Sequence, residues 1–355
     1  MRSPPLCSDN PFNLVVRRVG SGCPAGRFPH PTRTPPDAML SVAVIRLPQG
    51  CGRVVGREHL GGTGVRRRCM MRIGVLAFAL MLNAGHEAIA ETYAWRSAVT
   101  PPADRLDRRF PPPDGFVRVV APEGGSFAAW LRGLPLKPEG TAVLLHNGLP
   151  KWRQDVHAAV IDIDTGTRDL QQCADAVMRL RAEWQFARGD VRRIAFNDTG
   201  GGKPMAFSRW ALGERPRAQG RALVWAKRAP ADAGYASFRR YMDAVFTWAG
   251  THSLERELMP VRDGRVQIGD VIIKGGFPGH AVLIADVAEH AVTGERRFLL
   301  VQSFMPAQDM HVLKGRDTPD GSAWYRLDPG QPFVTPEWIF PPGSHRRWAS
   351  GTGPG

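Results

Sequence analysis

The carboxy-terminal third of the chain carries three apolar runs, Asp270 to Ile273, His280 to Val287 and Phe298 to Ser303. Lys274 to Gly279, which include Gly275-Gly276 and Pro278-Gly279, separate the first two, a turn composition that joins neighbouring antiparallel strands. The clearest helix stands a hundred residues earlier. Asp169 can cap it, with Gln172 three residues on. Beyond that cap Cys173, Val177, Leu180 and Trp184 recur at spacings of four, three and four, one stripe of an amphipathic helix. A helix followed by consecutive strands predicts an α+β fold in which the helix carrying Cys173 packs on a mainly antiparallel sheet, not a doubly wound parallel sheet.

The remaining pattern fills in around this unit. Val117, Val119 and Val120 predict a strand, Phe127 to Leu131 a short helix, and Thr141 to His146 and His157 to Asp164 two further strands. Residues 190–258 read as an inserted lobe. It holds short strands such as Val191 to Phe196 and Ala222 to Lys227, a helix around Phe238 to Ala249, and a shorter helical piece from Leu254 to Leu258. One α+β domain is expected over 114–345, followed by a disordered tail over 346–355.

The amino-terminal part reads differently. Met70-Met71-Arg72, the apolar run Ile73 to Leu82 and the small residues ending at Ala88-Ile89-Ala90 have the form of a secretory signal over 70–90, with cleavage before Glu91. Its apolar run of 10 residues is too short for a permanent anchor, since a helix needs about 20 to cross a bilayer. Residues 1–69 are rich in Pro, Gly and Arg without an apolar period, and are expected to be disordered or an upstream mistranslation. From 91 to 113 the prolines predict an extended leader. The expected location is therefore periplasmic or secreted.

Charge excludes one partner class. Of the formal +14, residues 1–70 carry +8, so the body has only a mild excess, and a nucleic-acid partner is disfavoured. Cys7, Cys23, Cys51 and Cys69 precede residue 70, which leaves Cys173 as the single thiol of the exported part, unable to form an internal disulfide.

Several motifs fail on inspection. Thr199-Gly200-Gly201-Gly202-Lys203-Pro204 lacks a phosphate loop's first glycine and its Ser or Thr, and no Gly-x-Ser-x-Gly elbow exists. The histidines after residue 90 include no pair at three- or four-residue spacing, so neither a metal nor a cofactor is expected. Cys173 near a helix start, His280 after Gly279 and Gln302 near the next strand's end supply a thiol, an imidazole and a polar orienter, the parts of a cysteine nucleophile system. Contact between Cys173 and His280 would follow if the helix packed across the strand face that His280 shares with Val282 and Ile284. A lone Cys on an apolar stripe can equally be a small buried hydrophobe.

The stretches Asp169-Leu-Gln-Gln-Cys173-Ala-Asp-Ala, Gly269-Asp-Val-Ile-Ile-Lys-Gly-Gly-Phe-Pro-Gly-His280-Ala-Val and Gln302-Ser-Phe-Met-Pro-Ala-Gln308 resemble the signature segments of exported bacterial proteins known only as domain of unknown function 4846, over about residues 95–345. More distantly, the Cys-on-helix and Gly-His pattern is similar to papain-like peptidoglycan endopeptidases of the NlpC type. That resemblance implies a papain-like fold with Cys173 as nucleophile, His280 as general base and acid and Gln302 as the orienting member. Two departures stand out: Gln-Gln-Cys-Ala replaces an Asp-Cys-Ser/Gly stretch, and 107 residues separate Cys173 from His280. The expectation is an exported cysteine amidase or peptidase acting on cell-wall peptide. The alternative is a non-catalytic binder of wall or carbohydrate, whose sugar-stacking platforms would come from Trp130, Trp152, Trp210, Trp225, Trp324, Trp338 and Trp348.

Overall fold

The computed structural model describes residues 92–96, 102–122, 125–220, 222–315 and 322–349. The upstream segment 1–69 and the signal segment 70–90 lie outside the described residues. Among the described residues the fold is α+β, centred on a nine-stranded antiparallel sheet. Its strands run in the order His157–Val160, His311–Leu313, Arg296–Gln302, His280–His290, Val271–Lys274, His345–Trp348 and Leu258–Pro260, with Trp324–Tyr325 and Phe116–Arg118 paired onto two of them. The strand from His280 is the hydrophobic centre. Every residue from His280 to Ala288 is buried, because layers cover the sheet on both sides.

On one side, Ala281, Leu283, Ala285, Val301 and Val312 share a core with Ala174, Val177 and Leu180 of the helix Cys173–Ala187. On the other, Ile272, Val282, Ile284 and Leu300 pack with Phe333 and Phe340 of the small hairpin Phe333–Val334/Ile339–Phe340. The period of two along each strand sorts its residues between these cores. A bulge between Ile284 and Asp286 breaks the alternation. It leaves Asp286 wholly buried, accepting from Arg118 Nε and Arg132 Nε at 2.7 Å each, so that one carboxylate ties the strand Phe116–Arg118 and the helix Phe127–Arg132 to the central strand.

Several expectations are corrected. The tail does not begin at 346: Arg346 to Trp348 form a sheet strand, held because Arg347 makes two bonds to the buried Asp270, at 2.6 and 2.8 Å. The leader is not uniformly extended. Asp104–Arg105 pairs with Pro135–Leu136, Leu106–Arg109 is a helical turn whose Leu106 is fully buried, and the rings of Tyr93 and Trp95 pack on Trp130. Thr141 to His146 makes only isolated bridges, and Val191–Arg193 is a short helical turn before the strand Ala195–Phe196. The insertion over 190–258 is anchored in the main core through Ile194, Phe207, Phe238 and Tyr241. Replacing Asp286 by Ala leaves two guanidinium groups facing a buried methyl group. Guanidinium denaturation is expected to show a loss of about 3 kcal/mol, and a change within error would show that the paired arginines do not bridge these elements.

Candidate active site

Register explains which polar side chains meet. Ile284 pairs with Leu300, so two residues further along Val282 faces Gln302, and His280 is the diagonal neighbour of Gln302 on the same face. On the next strand His311 is the direct partner of Gln302. Three adjacent strands thereby lay His280, Gln302 and His311 in one row across the sheet, all buried. His280 Nε2 lies 3.0 Å from Gln302 Oε1, and Gln302 Nε2 lies 3.2 Å from His311 Nε2 and 2.8 Å from Glu337 Oε2. The same Glu337 oxygen accepts from Lys151 Nζ at 2.7 Å. Rings of Phe304, Trp338 and Phe340 surround the His280 imidazole at centroid distances of 4.9, 5.3 and 5.6 Å. Among the described residues His280 Nδ1 has no hydrogen-bond partner.

Cys173 does not meet this row in the way expected. Its helix lies on the Ala281 and Leu283 side of the sheet, not across the face that carries His280. The helix begins at Cys173 itself, because Gln172 is the cap: its backbone N–H donates to Asp175 Oδ2 at 3.0 Å. Asp169, the cap read from the sequence, instead accepts from Ala307 N at 2.7 Å and so holds the loop after Gln302. Ser303 Oγ fastens the same loop, donating within reach of the carbonyls of Gln171 at 3.1 Å and Gln308 at 2.8 Å.

Strand geometry also sets where the nearby backbone amides point. Ile284 N donates to Asp270 O at 2.9 Å, so even-numbered amides at this end point toward Val271–Lys274 and odd-numbered ones toward Arg296–Gln302. That neighbouring strand ends at Gln302, which leaves the Ala281 N–H without a strand partner on that side. The backbone amides of Ala281, Ala174 and Cys173 are the groups that favour the Cys173 thiolate. No Cys173–His280 hydrogen bond is formed among the described residues.

Burial drives the thiol and the imidazoles toward their neutral forms. Burial pushes the Cys173 thiol up to about 12, with the Asp175 carboxyl adding to the rise and the three amides opposing it. Burial pulls the His280 imidazole down to about 4, against its bond to Gln302. His311 is held well below the usual imidazole range by burial and by the Lys151 charge. Lys151 is itself lowered by burial, which its bond to Glu337 counters.

Sequence reasoning named Cys173, His280 and Gln302 but missed Lys151, Glu337 and His311, whose only local signal was strand alternation around His311. Trp130, Trp210 and Trp324 are core residues, whereas Trp152 and Phe277 are exposed at 87% and 86%. A cleft of about 380 Å³ lies beside Phe277, three residues before His280, lined also by Asp198, Trp248 and Leu223. Among the described residues no group of His, Cys, Asp and Glu is arranged to hold a metal, and no helix is long and apolar enough to cross a membrane.

Asp175 yields a pH prediction. Burial pushes its carboxyl from 3.8 to about 8, so between those values the folded chain binds a proton that the unfolded chain has lost, and stability falls as pH rises through that window. Asp175→Asn cannot ionise and keeps an acceptor for the Gln172 amide. Its melting temperature is expected to depend less on pH between about 4 and about 8 than the parent's does. Equal slopes in the two proteins would refute a protonated Asp175. Glu257, pushed up to about 7 by burial, contributes to both proteins alike.

No curated protein and no solved structure matches the chain. A family model described as domain of unknown function 4846 matches residues 106–347, more than half of the chain, and the protein belongs to that family.

Proposed function

We propose that the protein is an exported cysteine amidase or peptidase with a papain-like arrangement of Cys173, His280 and Gln302, acting on amide bonds of cell-wall peptide. The observation that carries this reading is the His280–Gln302 bond at 3.0 Å, which occupies Nε2 and leaves Nδ1 unpartnered, while the backbone amide of the next residue, Ala281, is among the groups that favour the Cys173 thiolate. With thiol and imidazole both neutral at rest, attack is a general-base step: Sγ bonds to the amide carbon as Nδ1 takes the thiol proton. Amides at the start of the helix stabilise the oxyanion that forms. The imidazolium then returns its proton to the leaving amine, and water releases the acyl group by the reverse sequence. The exposed Phe277, three residues before His280 in the chain, and the cleft it lines offer a surface for a substrate.

A second reading is a non-catalytic wall- or carbohydrate-binding protein with Cys173 as a core residue. One observation favours it: the sulfur is buried and its thiol is pushed up to about 12, the behaviour of an inert structural cysteine. Trp152 would be its sugar platform. Alkylation of the folded protein with a small haloacetamide, mapped by mass spectrometry, separates the two. The hydrolase reading expects Cys173 to label in the native state, with a rate that drops by about tenfold or more in His280→Asn. Labelling only after denaturation would support the binder. In a second test, Cys173→Ser is expected to abolish turnover of purified wall fragments at a nearly unchanged melting temperature. A large fall in stability, with no activity in the parent, would place the cysteine in the core.

A further inference from the structure

Glu337 takes no part in the bond-making steps above, yet it is the charged end of the row that contains His280. It sits in the tight turn Thr335–Trp338, closed by Thr335 N donating to Trp338 O at 2.8 Å and Trp338 N donating to Thr335 Oγ1 at 3.1 Å. That turn lowers the carboxylate onto Gln302 and Lys151, where the side chains of Glu337 and Lys151 are only 7% and 2% exposed. Lys151 makes a buried carboxylate tolerable at this position, since an unpaired one would carry a large desolvation cost.

A carboxylate can only accept, so Glu337 selects the NH2 end of the Gln302 amide. His311 selects the same end. Its Nδ1 donates to Asp309 O at 2.8 Å, which leaves a lone pair on Nε2 facing Gln302 Nε2. Both amide protons are thereby claimed, and Oε1 is left to face His280. An oxygen acceptor requires a proton on His280 Nε2, so the lone pair of the neutral ring lies on Nδ1. Turned over, the amide would present NH2 to His280 Nε2, place the ring proton on Nδ1 and remove the base. Of the two acceptors Glu337 is the stronger, being charged and 2.8 Å away against 3.2 Å.

We infer that Glu337 is a positioning residue that, through the amide of Gln302, sets the tautomer of His280, an inference whose catalytic meaning rests on the hydrolase reading. The test uses the whole protein labelled with ¹⁵N-histidine and long-range ¹H–¹⁵N correlation spectra at neutral pH, which report ring tautomers without any substrate. The parent is expected to show His280 as the Nε2–H form, and an Nδ1–H pattern there overturns the inference without recourse to a variant. Glu337→Met is expected to shift part of the signal to the Nδ1–H form, and Glu337→Gln, which retains an acceptor oxygen, to restore the parental pattern. A parental pattern in Glu337→Met would overturn the role. A merely structural contribution would lower the melting temperature of both variants without moving the tautomer. An Nε2–H parent without hydrolytic activity removes the hydrolase and leaves the positioning role standing; an active parent in the Nδ1–H form does the reverse.

Discussion

The antiparallel pairing of the strands ending at Gln302 and beginning at His280 is the constraint on which the site depends. Because side chains alternate across a strand, one register brings His280, Gln302 and His311 to a single face, and a slip by one residue would scatter all three. The same pairing opens a gap at the end of the neighbouring strand, where the Ala281 amide loses a strand partner. The fold thus makes the polar row and the gap beside it with one device.

Holding Cys173 at the start of its helix requires the chain before it to be fixed as well. Arg179, wholly buried in the same helix, pairs with Asp164 at 2.8 Å and Glu183 at 3.2 Å and donates to Gln171 Oε1 at 2.5 Å. Tyr235, on the helix Tyr235–Trp248, donates to Glu183 at 2.9 Å. One guanidinium therefore couples the approach to Cys173, the body of its helix and the insertion. The insertion contributes directly to the site's stability, since Phe238 and Tyr241 share the core of the cysteine helix. Such a network is costly to desolvate and costlier still to break, which favours a single geometry at the helix start.

Local pattern made the strands and the helical stripe legible, because apolar periodicity is a property of contiguous residues. His280 on the same strand face as Val282 and Ile284 followed from it too. Legibility ended where the decisive partner was distant in sequence. Glu337 lies 35 residues from Gln302, and Lys151 lies 186 from Glu337, in segments whose composition suggests only loop. The helix start was misplaced for a similar reason: Asp169 is a good cap by residue type, but the amide of Ala307 competes for its oxygen, and Asp175 supplies the reciprocal contact at Gln172. The strand at Arg346 to Trp348 was hidden because its arginines look solvated until Asp270 is seen to be buried against Arg347. The prolines of the leader likewise outweighed Leu106, whose burial only the folded core reveals.

The electrostatics of the resting site bear on how a cysteine in this position could work. Papain-like chemistry is often pictured as a standing thiolate and imidazolium, an arrangement that needs water or compensating charge around the pair. Here aromatic rings enclose the His280 imidazole, the Cys173 sulfur is buried, and burial drives both groups toward neutrality. Under the proposed hydrolase reading, a neutral thiol and a neutral imidazole remain competent if proton transfer accompanies attack, provided the lone pair faces the sulfur. Orientation of the ring then matters more than its basicity. Under that reading the buried Lys151–Glu337 pair serves orientation from behind Gln302, where the Lys151 charge lowers His311 and the Glu337 carboxylate holds the amide.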